Sequence, residues 1–334
     1  MIISASYRCD IPAFYSRWFS NRLDAGWCEV RNPWSGKISR VALDARAVTG
    51  FVFWTRRTAP FMAVLQRLRD RGTPFVVQFT VTGYPRDLEP GVVDWRRAVD
   101  DLHEIADRFG SRVPVWRYDP VIETARTPAA FHVEQVSMLS ERLTGASDEV
   151  VLSFAHIYAK TRRSLDRLAP EWRDPPADEK RALLRRLGQV ANANGLRPTV
   201  CAQPGLVSPP LAPAACIDAD RLADAGGLPV RVRQKGNRPG CLCAESRDVG
   251  AYDSCIQGCV YCYAVRSRAA ARRRMQRHDP ECPVLIPQPG QQSASSPAVS
   301  SSSAGTSSPA ASAGGGGSLA TPTIAARSSR SPRT

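Results

Sequence analysis

Short apolar runs alternate with amphipathic stretches along most of this chain, and that alternation limits its fold more than any other feature. Strands are expected at Ile2-Ile-Ser-Ala-Ser, Phe51-Val-Phe-Trp-Thr, Phe75 to Thr82, Val113 to Tyr118, Glu149 to Tyr158 and Thr199 to Ala202. Their β-branched and aromatic content suits a pleated, packed surface. Helices are expected at Pro12 to Ala25, Ala59 to Arg71, Asp94 to Phe109, Pro128 to Leu143 and Ala177 to Asn194, each with a glycine soon after its end. Val30-Arg-Asn-Pro and Ile38 to Leu43 read as short extended pieces, residues 160–176 as a polar insertion and the proline-rich 204–214 as a loop. Strand then helix at intervals of about 35 residues specifies parallel βα units, because parallel neighbours need a crossover between them. Six or seven such strands predict an α/β fold, a complete or partial βα (TIM-like) barrel. No G-x-G-x-x-G follows the first strand, which argues against a dinucleotide-binding sheet.

The pattern continues to about residue 287, giving one barrel-like domain over 1–287 that includes the cysteine-rich segment 241–262. From Gln288 to Thr334 the chain is Ser, Ala, Gly and Pro without an acid, too poor in apolar surface to fold, so a disordered tail is expected over 288–334. No window approaches 18 uninterrupted apolar residues, so no membrane span is expected. The N-terminus lacks a basic region followed by an apolar run, which argues against a signal peptide. Ten cysteines without an export signal point to the reducing cytoplasm, and to metal binding or catalysis rather than disulfides. The net charge of +14 is carried by arginine, with only Lys37, Lys160, Lys180 and Lys235 as lysines. Beside so much Ala, Pro and Gly, that bias reads first as base composition and second as a tendency to bind nucleic acid.

Five of the ten cysteines lie between Cys241 and Cys262. Cys255, Cys259 and Cys262 form a C-x3-C-x2-C triplet, with Gly258 free to turn the chain between ligands. Three thiolates this close make a soft-ligand pocket for zinc or iron–sulfur. Structural zinc commonly takes C-x2-4-C pairs, a zinc-style C-x2-C spacing found only at Cys259 and Cys262, whereas the unequal spacing of the triplet fits a cluster with one iron left open. Cys241 and Cys243 form a C-x-C pair. They either complete an auxiliary metal site, with Cys201 or Cys216 across the fold, or are loop residues. Cys9 and Cys28 match no motif and read as incidental thiols; Cys282 is a weak ligand candidate.

The run Cys255-Ile-Gln-Gly-Cys-Val-Tyr-Cys-Tyr-Ala resembles the C-x3-C-x-aromatic-C signature of radical S-adenosylmethionine enzymes, with Tyr261 as the aromatic. It is most similar to the version in spore photoproduct lyases, with Gln257 where those commonly have His. The resemblance implies that the three thiolates bind a 4Fe-4S cluster, that the open iron binds S-adenosylmethionine, and that reduction cleaves it to a 5′-deoxyadenosyl radical. It also implies an electron donor such as ferredoxin or flavodoxin, and a substrate that the motif does not name. A second resemblance covers about residues 1–287. Ile3-Ser-Ala-Ser, Asp10-Ile-Pro-Ala-Phe-Tyr, Val30-Arg-Asn-Pro, Phe53-Trp-Thr, Gln78-Phe-Thr-Val-Thr-Gly-Tyr, Trp116-Arg-Tyr-Asp-Pro and the cysteine block are similar to one bacterial family, domain of unknown function number eighteen-forty-eight. That family is noted for a C-terminal cysteine cluster of this kind. Radical S-adenosylmethionine enzymes carry the triplet near the start of the barrel, whereas here it comes last: either the barrel is circularly rearranged, with its ends adjacent in space, or the cluster has another job.

Strand alternation supplies the catalytic candidates. Val76, Gln78, Thr80 and Thr82 share the face opposite Phe75, Val77, Phe79 and Val81, and in a helix-wrapped barrel the polar row points inward. Val113, Val115, Arg117 and Asp119 share a face that turns charged at its C-terminal end. Gln78, Thr80, Arg117 and Asp119 are therefore the candidate catalytic residues, with Arg117 either gripping a carboxylate or phosphate or pairing with Asp119 at the rim. His156, after Leu152 and Phe154, reads as a hydrogen-bonded structural residue. Arg8, Cys9 and Asp10 fall in a βα loop on the same rim, with Asp10 also placed to cap a helix. The stretch Tyr263 to Arg277 reads as a basic helix. Two functions follow: a radical S-adenosylmethionine-like iron–sulfur enzyme, or a noncatalytic zinc-binding barrel protein that binds nucleic acid through the basic helix.

Overall fold

The computed structural model describes residues 1–227 and 229–288. Its strands are β1 (Ile2–Ala5), β2 (Trp27–Arg31), β3 (Ile38–Ala42), β4 (Gly50–Thr55), β5 (Phe75–Thr80), β6 (Pro114–Val121), β7 (Glu149–Phe154), β8 (Arg197–Cys201), β9 (Ala212–Ala214) and β10 (Ser246–Asp248). The helices are α1 (Ile11–Phe14), α2 (Ser16–Ala25), α3 (Met62–Asp70), α4 (Trp95–Phe109), α5 (Ala129–Arg142), α6 (Ala159–Leu168), α7 (Ala177–Ala193), α8 (Ala219–Gly226) and α9 (Arg268–Met275). Eight strands form one sheet in the order β10-β1-β4-β5-β6-β7-β8-β9, and every neighbouring pair is parallel. β2 and β3 form a separate antiparallel hairpin.

Both faces of this sheet are buried, as parallel pairing requires. The outer face meets the helices. Phe51, Phe53 and Phe61 pack on Phe19 of α2, with ring centroids 5.4 to 5.7 Å from it, and Phe53 packs on Phe61 at 4.9 Å. Each such buried ring contributes about 2–3 kcal/mol of transfer free energy. On the inner face, Ile2, Val52, Val76, Val115, Val151, Cys201 and Ala214 join one apolar cluster, one residue from each of seven strands. A flat sheet would hold such residues apart, so the sheet is curled about this layer. Among the described residues no hydrogen bonds join β9 to β10, so the ring is not closed by strand pairing. Ile217, Leu222, Cys243 and Ala244 complete the inner cluster from the segment between those two edges.

The α/β class and the inward row of Val76, Gln78 and Thr80 agree with the alternation of the sequence. Among the described residues the strands make an open parallel sheet, and hydrogen bonding does not close them into a complete barrel. The expected insertion at 160–176 contains α6, and the expected loop at 204–214 contains β9. α8 and β10 carry too few apolar residues to read as elements alone. The first helix breaks at Tyr15, whose backbone N–H closes α1 on the Ile11 carbonyl. The helix after the triplet begins only at Arg268, so no helix N-terminus follows Cys262 directly. Expected disorder beyond Gln288 falls on 289–334, outside the described residues. No described helix is long and apolar enough to cross a membrane.

His132 on α5 is fully buried, with Nδ1 2.8 Å from the Tyr118 hydroxyl and Nε2 3.1 Å from the Ile122 carbonyl. These partners fit a neutral ring in which Nε2–H donates and Nδ1 accepts. Burial holds its pKa down to about 4 from 6.5. The unfolded chain therefore takes up a proton below about 6.5 that the native state refuses until about 4, so acid favours unfolding. This group should remove up to about 3 kcal/mol of stability across that window. Denaturant unfolding at pH 7 and pH 5 should show a smaller loss for His132→Gln than for the unaltered chain.

Candidate functional site

Loops after the strand ends surround a cavity of about 710 Å³ at the C-terminal rim of the sheet. Side chains converge there in parallel α/β folds because the C-terminal strand ends open into crossovers. Eight of the ten cysteines line this cavity: Cys9, Cys201, Cys216, Cys241, Cys243, Cys255, Cys259 and Cys262. Cys28 and Cys282 are buried elsewhere. The triplet reaches the rim because β10, the strand before it, pairs with β1. Ser4 and Ser6 donate to the buried Asp248 carboxylate at 2.6 and 2.8 Å, and Arg8 pairs with it at 3.4 Å. Asp248 thus fixes the end of β10 to the end of β1.

The triplet loop is held from several sides. The Cys262 backbone N–H donates to the Cys259 carbonyl at 3.1 Å, and the Ala264 N–H reaches the Cys262 sulfur at 3.4 Å. Gly258 has φ +79°, and a Cβ there would stand 2.7 Å from Arg268 Cδ. Arg268 Nε donates to the Ile256 carbonyl at 3.1 Å, so this arginine of the basic helix props the loop. Gly91 packs directly on the Gln257 carbonyl. Burial raises the Cys255 and Cys262 thiols and pushes Cys259 up to about 12. Arg56 opposes this at both Cys259 and Cys262, and Lys160 at Cys262, so cations stand where thiolate charge would develop.

Two buried networks tie the loop to the sheet. Asp10 accepts from the Ala13 N–H at 3.1 Å, Thr55 Oγ1 at 2.7 Å, the Arg56 N–H at 3.1 Å and Gln257 Nε2 at 3.1 Å. It is the helix cap that its position predicts, and it also orients Gln257. Arg56 pairs with Glu89 at 2.9 Å and donates to the Tyr261 hydroxyl at 2.6 Å, while Tyr261 and Thr82 both donate to Glu89. Burial works against the Arg56 charge, but Glu89 and Tyr261 outweigh it and hold its pKa above the ordinary value.

Thr80, Arg117 and Asp119 line the cavity, whereas Gln78 lies one step deeper, buried beneath Arg117. Arg117 Nη1 donates to Gln78 Oε1 at 2.9 Å and to the Cys216 sulfur at 3.0 Å. Its other arm pairs with Asp119, which also accepts from Ser153. Burial raises Asp119, but Arg117 and Ser153 outweigh it and leave its pKa low. The arginine is thus internally committed rather than open to a ligand. His156 lies past the end of β7 and lines the cavity, and its buried Nε2 has no partner, so it is not the hydrogen-bonded residue expected. Cys201 and Cys216 stand 3.2 Å apart, sulfur to sulfur, and the Cys243 thiol contacts both Cys216 and Cys241. Arg238 reaches the Cys201 sulfur at 3.5 Å. Cys9 also lines the cavity, beside Arg8 and Asp10 on the rim where the βα loop is expected, although it matches no motif. Among the described residues, no three His, Cys, Asp or Glu side chains already surround a single metal position.

The model of a family described as a domain of unknown function (DUF1848) matches residues 2–264. No curated protein matches the chain. Among solved structures, a D-hydantoinase is similar at 10% identity and a TM-score of 0.29, over 67% of this chain and 44% of that one. A triazine hydrolase variant is similar at 12% identity and a TM-score of 0.27, over 54% of this chain and 43% of that one. The chain thus aligns over less than half the length of either protein.

Two measurements test the site's construction. Gly258→Ala should lower the unfolding free energy by about 1–2 kcal/mol, through left-handed strain and the clash with Arg268. Gly205→Ala, with open space around it, should change it by under about 0.5 kcal/mol in the same denaturant titration. A contact from the Cys243 thiol holds half-exposed Cys241 down to about 6, while Cys216 and Cys243 are raised to about 11. Iodoacetamide on the metal-free protein should therefore label Cys241 first among these three. Peptide mapping should show its rate rising through about pH 6.

Proposed function

We propose that this chain, which belongs to the DUF1848 family, is a radical S-adenosylmethionine-like iron–sulfur protein whose cluster is held by Cys255, Cys259 and Cys262. The observation that carries the reading is the convergence of these three thiols, from one propped loop, on one cavity at the C-terminal rim. Backbone N–H groups at the Cys262 sulfur and the cations Arg56 and Lys160 suit an anionic sulfur cage. The late motif is accommodated because β10 precedes β1 in the order of the sheet.

The cluster, when bound, supplies one electron at low potential for cleavage of S-adenosylmethionine. The chain's own residues bind and orient. Asp10 fixes Gln257 within the triplet loop, and the Arg56–Glu89–Tyr261 network fixes the loop's aromatic residue. The cavity falls within the range of about 300–1,000 Å³ typical of small-molecule sites, so cofactor and a small substrate portion share it. His156, Ser153 and Asp119 line that space and offer polar groups for the substrate, with Arg117 holding Asp119 in place. The zinc-and-nucleic-acid reading is the weaker one, because Arg268 of the basic helix is spent on the loop.

Anaerobic reconstitution with iron and sulfide tests the proposal. A brown protein absorbing near about 400 nm is expected, and after reduction it should form 5′-deoxyadenosine from S-adenosylmethionine. Cys255→Ala, Cys259→Ala and Cys262→Ala should each lose both properties, and Cys28→Ala should keep both. Full iron content in the triple variant would overturn the ligand assignment. A loaded, reduced protein that leaves S-adenosylmethionine intact would overturn the chemistry.

A further inference from the structure

The sheet has a seam, and four of the cavity's cysteines gather there. Cys201 ends β8, Cys216 follows β9, and Cys241 and Cys243 precede β10. β9 and β10 are the two sheet edges that no described hydrogen bond joins. The thiols make a line of contacts: Cys201 to Cys216 at 3.2 Å, Cys216 to Cys243, and Cys243 to Cys241. The Ile217 backbone N–H donates to the Cys243 sulfur at 3.3 Å. Gly236 lets the backbone pass against Cys241, since a Cβ there would meet the Cys241 side chain at 2.9 Å, and Gly240 turns with φ +73° just before it. The Lys235 N–H donates to the Cys243 carbonyl at 2.9 Å and closes this loop.

We propose that Cys201, Cys216, Cys241 and Cys243 form a tetrathiolate site for one divalent ion of the zinc class, which staples the open seam of the sheet. Tetrahedral zinc with sulfur at about 2.3 Å holds its thiolates about 3.8 Å apart, near the sulfur–sulfur contact found here. A 4Fe-4S cluster would hold them well beyond contact, because each thiolate binds a different iron. Four thiolates around a divalent ion leave a net charge of two minus. Arg117 at 3.0 Å from Cys216 and Arg238 at 3.5 Å from Cys201 supply two cations, against the single carboxylate Asp119. The thiols stand in a line rather than around one point, so loading turns Cys241, the half-exposed member, inward. The ion would reinforce the link between the chain after β8 and β9 and the chain before β10, which the Ala244 N–H makes to the Ile217 carbonyl at 2.9 Å.

The test uses the full chain carrying Cys255→Ala, Cys259→Ala and Cys262→Ala, so that the triplet contributes no metal and the two sites fail independently. Zinc alone and cobalt alone are the probes, under reducing, anaerobic conditions. One equivalent of either ion is expected, with the visible spectrum of tetrahedral cobalt tetrathiolate and a higher melting temperature on loading. Chelation should also raise the rate of proteolysis within 229–245. Adding Cys241→Ser, at a half-exposed position that folding tolerates, should weaken zinc binding at least tenfold with an unchanged circular dichroism spectrum. Cys28→Ser should leave binding intact. Three results would overturn the proposal: no cobalt bound while all four thiols titrate as free, a disulfide between Cys201 and Cys216 in the reduced protein, or four irons with sulfide held at these residues.

Discussion

The parallel pairing of β10 with β1 decides where the functional groups of this chain can stand. A parallel strand cannot be reached by a tight turn, so the last strand must be brought across the fold before it joins the first. The register Ile2↔Ser246, Ile3↔Arg247 and Ser4↔Asp248 aligns the two C-terminal ends. It places Asp248, a buried carboxylate, against Ser4, Ser6 and Arg8. Burial raises the Asp248 pKa, and Arg8 and the hydroxyls offset part of that cost. With β10 set in this way, the loop that follows it emerges beside Asp10, although more than 240 residues separate Asp10 from Gln257.

Charge burial then fixes the loop. An uncompensated carboxylate inside the rim would cost several kcal/mol, so Asp10 and Glu89 persist only with their partners in place. Asp10 spends its lone pairs on a helix cap, a strand hydroxyl, a backbone N–H and Gln257. Glu89 spends its own on Arg56, Thr82 and Tyr261. Each network joins a strand end to the cysteine loop, so removing one partner strands a charge in a low-dielectric setting. Such networks specify one loop conformation more than they add stability, and a pre-set thiolate constellation needs that property.

The parts of the fold legible in the sequence are those governed by periodicity. Phe75 to Thr82 announces a strand and its inward row, because alternation sets Gln78 and Thr80 on the face opposite Phe75, Val77 and Phe79. The cysteine triplet is legible because its ligands are local. For Cys201, Cys216 and Cys243 the sequence leaves two readings open, an auxiliary site or loop residues, because their contact is created by curling of the sheet. β10 is equally hidden: Ser246-Arg247-Asp248 has no apolar signal, and its strand state is imposed by the edge of β1. His156 is misread because β7 ends at Phe154, after which alternation no longer tells which way a side chain faces.

The two cysteine sets differ in a way that follows from how the chain delivers them. Cys255, Cys259 and Cys262 come from one loop whose backbone turns around Gly258, so their separations are set by local geometry and survive without any ion. Cys201, Cys216, Cys241 and Cys243 come from three segments that meet only when the sheet has curled. Their close approach concentrates thiols between the two sheet edges that no strand pairing joins among the described residues. Thiols raised to about 11 at Cys216 and Cys243 disfavour charge there until a cation arrives. A metal ion of the class proposed would offset both costs, the open edge and the buried thiolates, because it would bind the sulfurs and join the segments in one step.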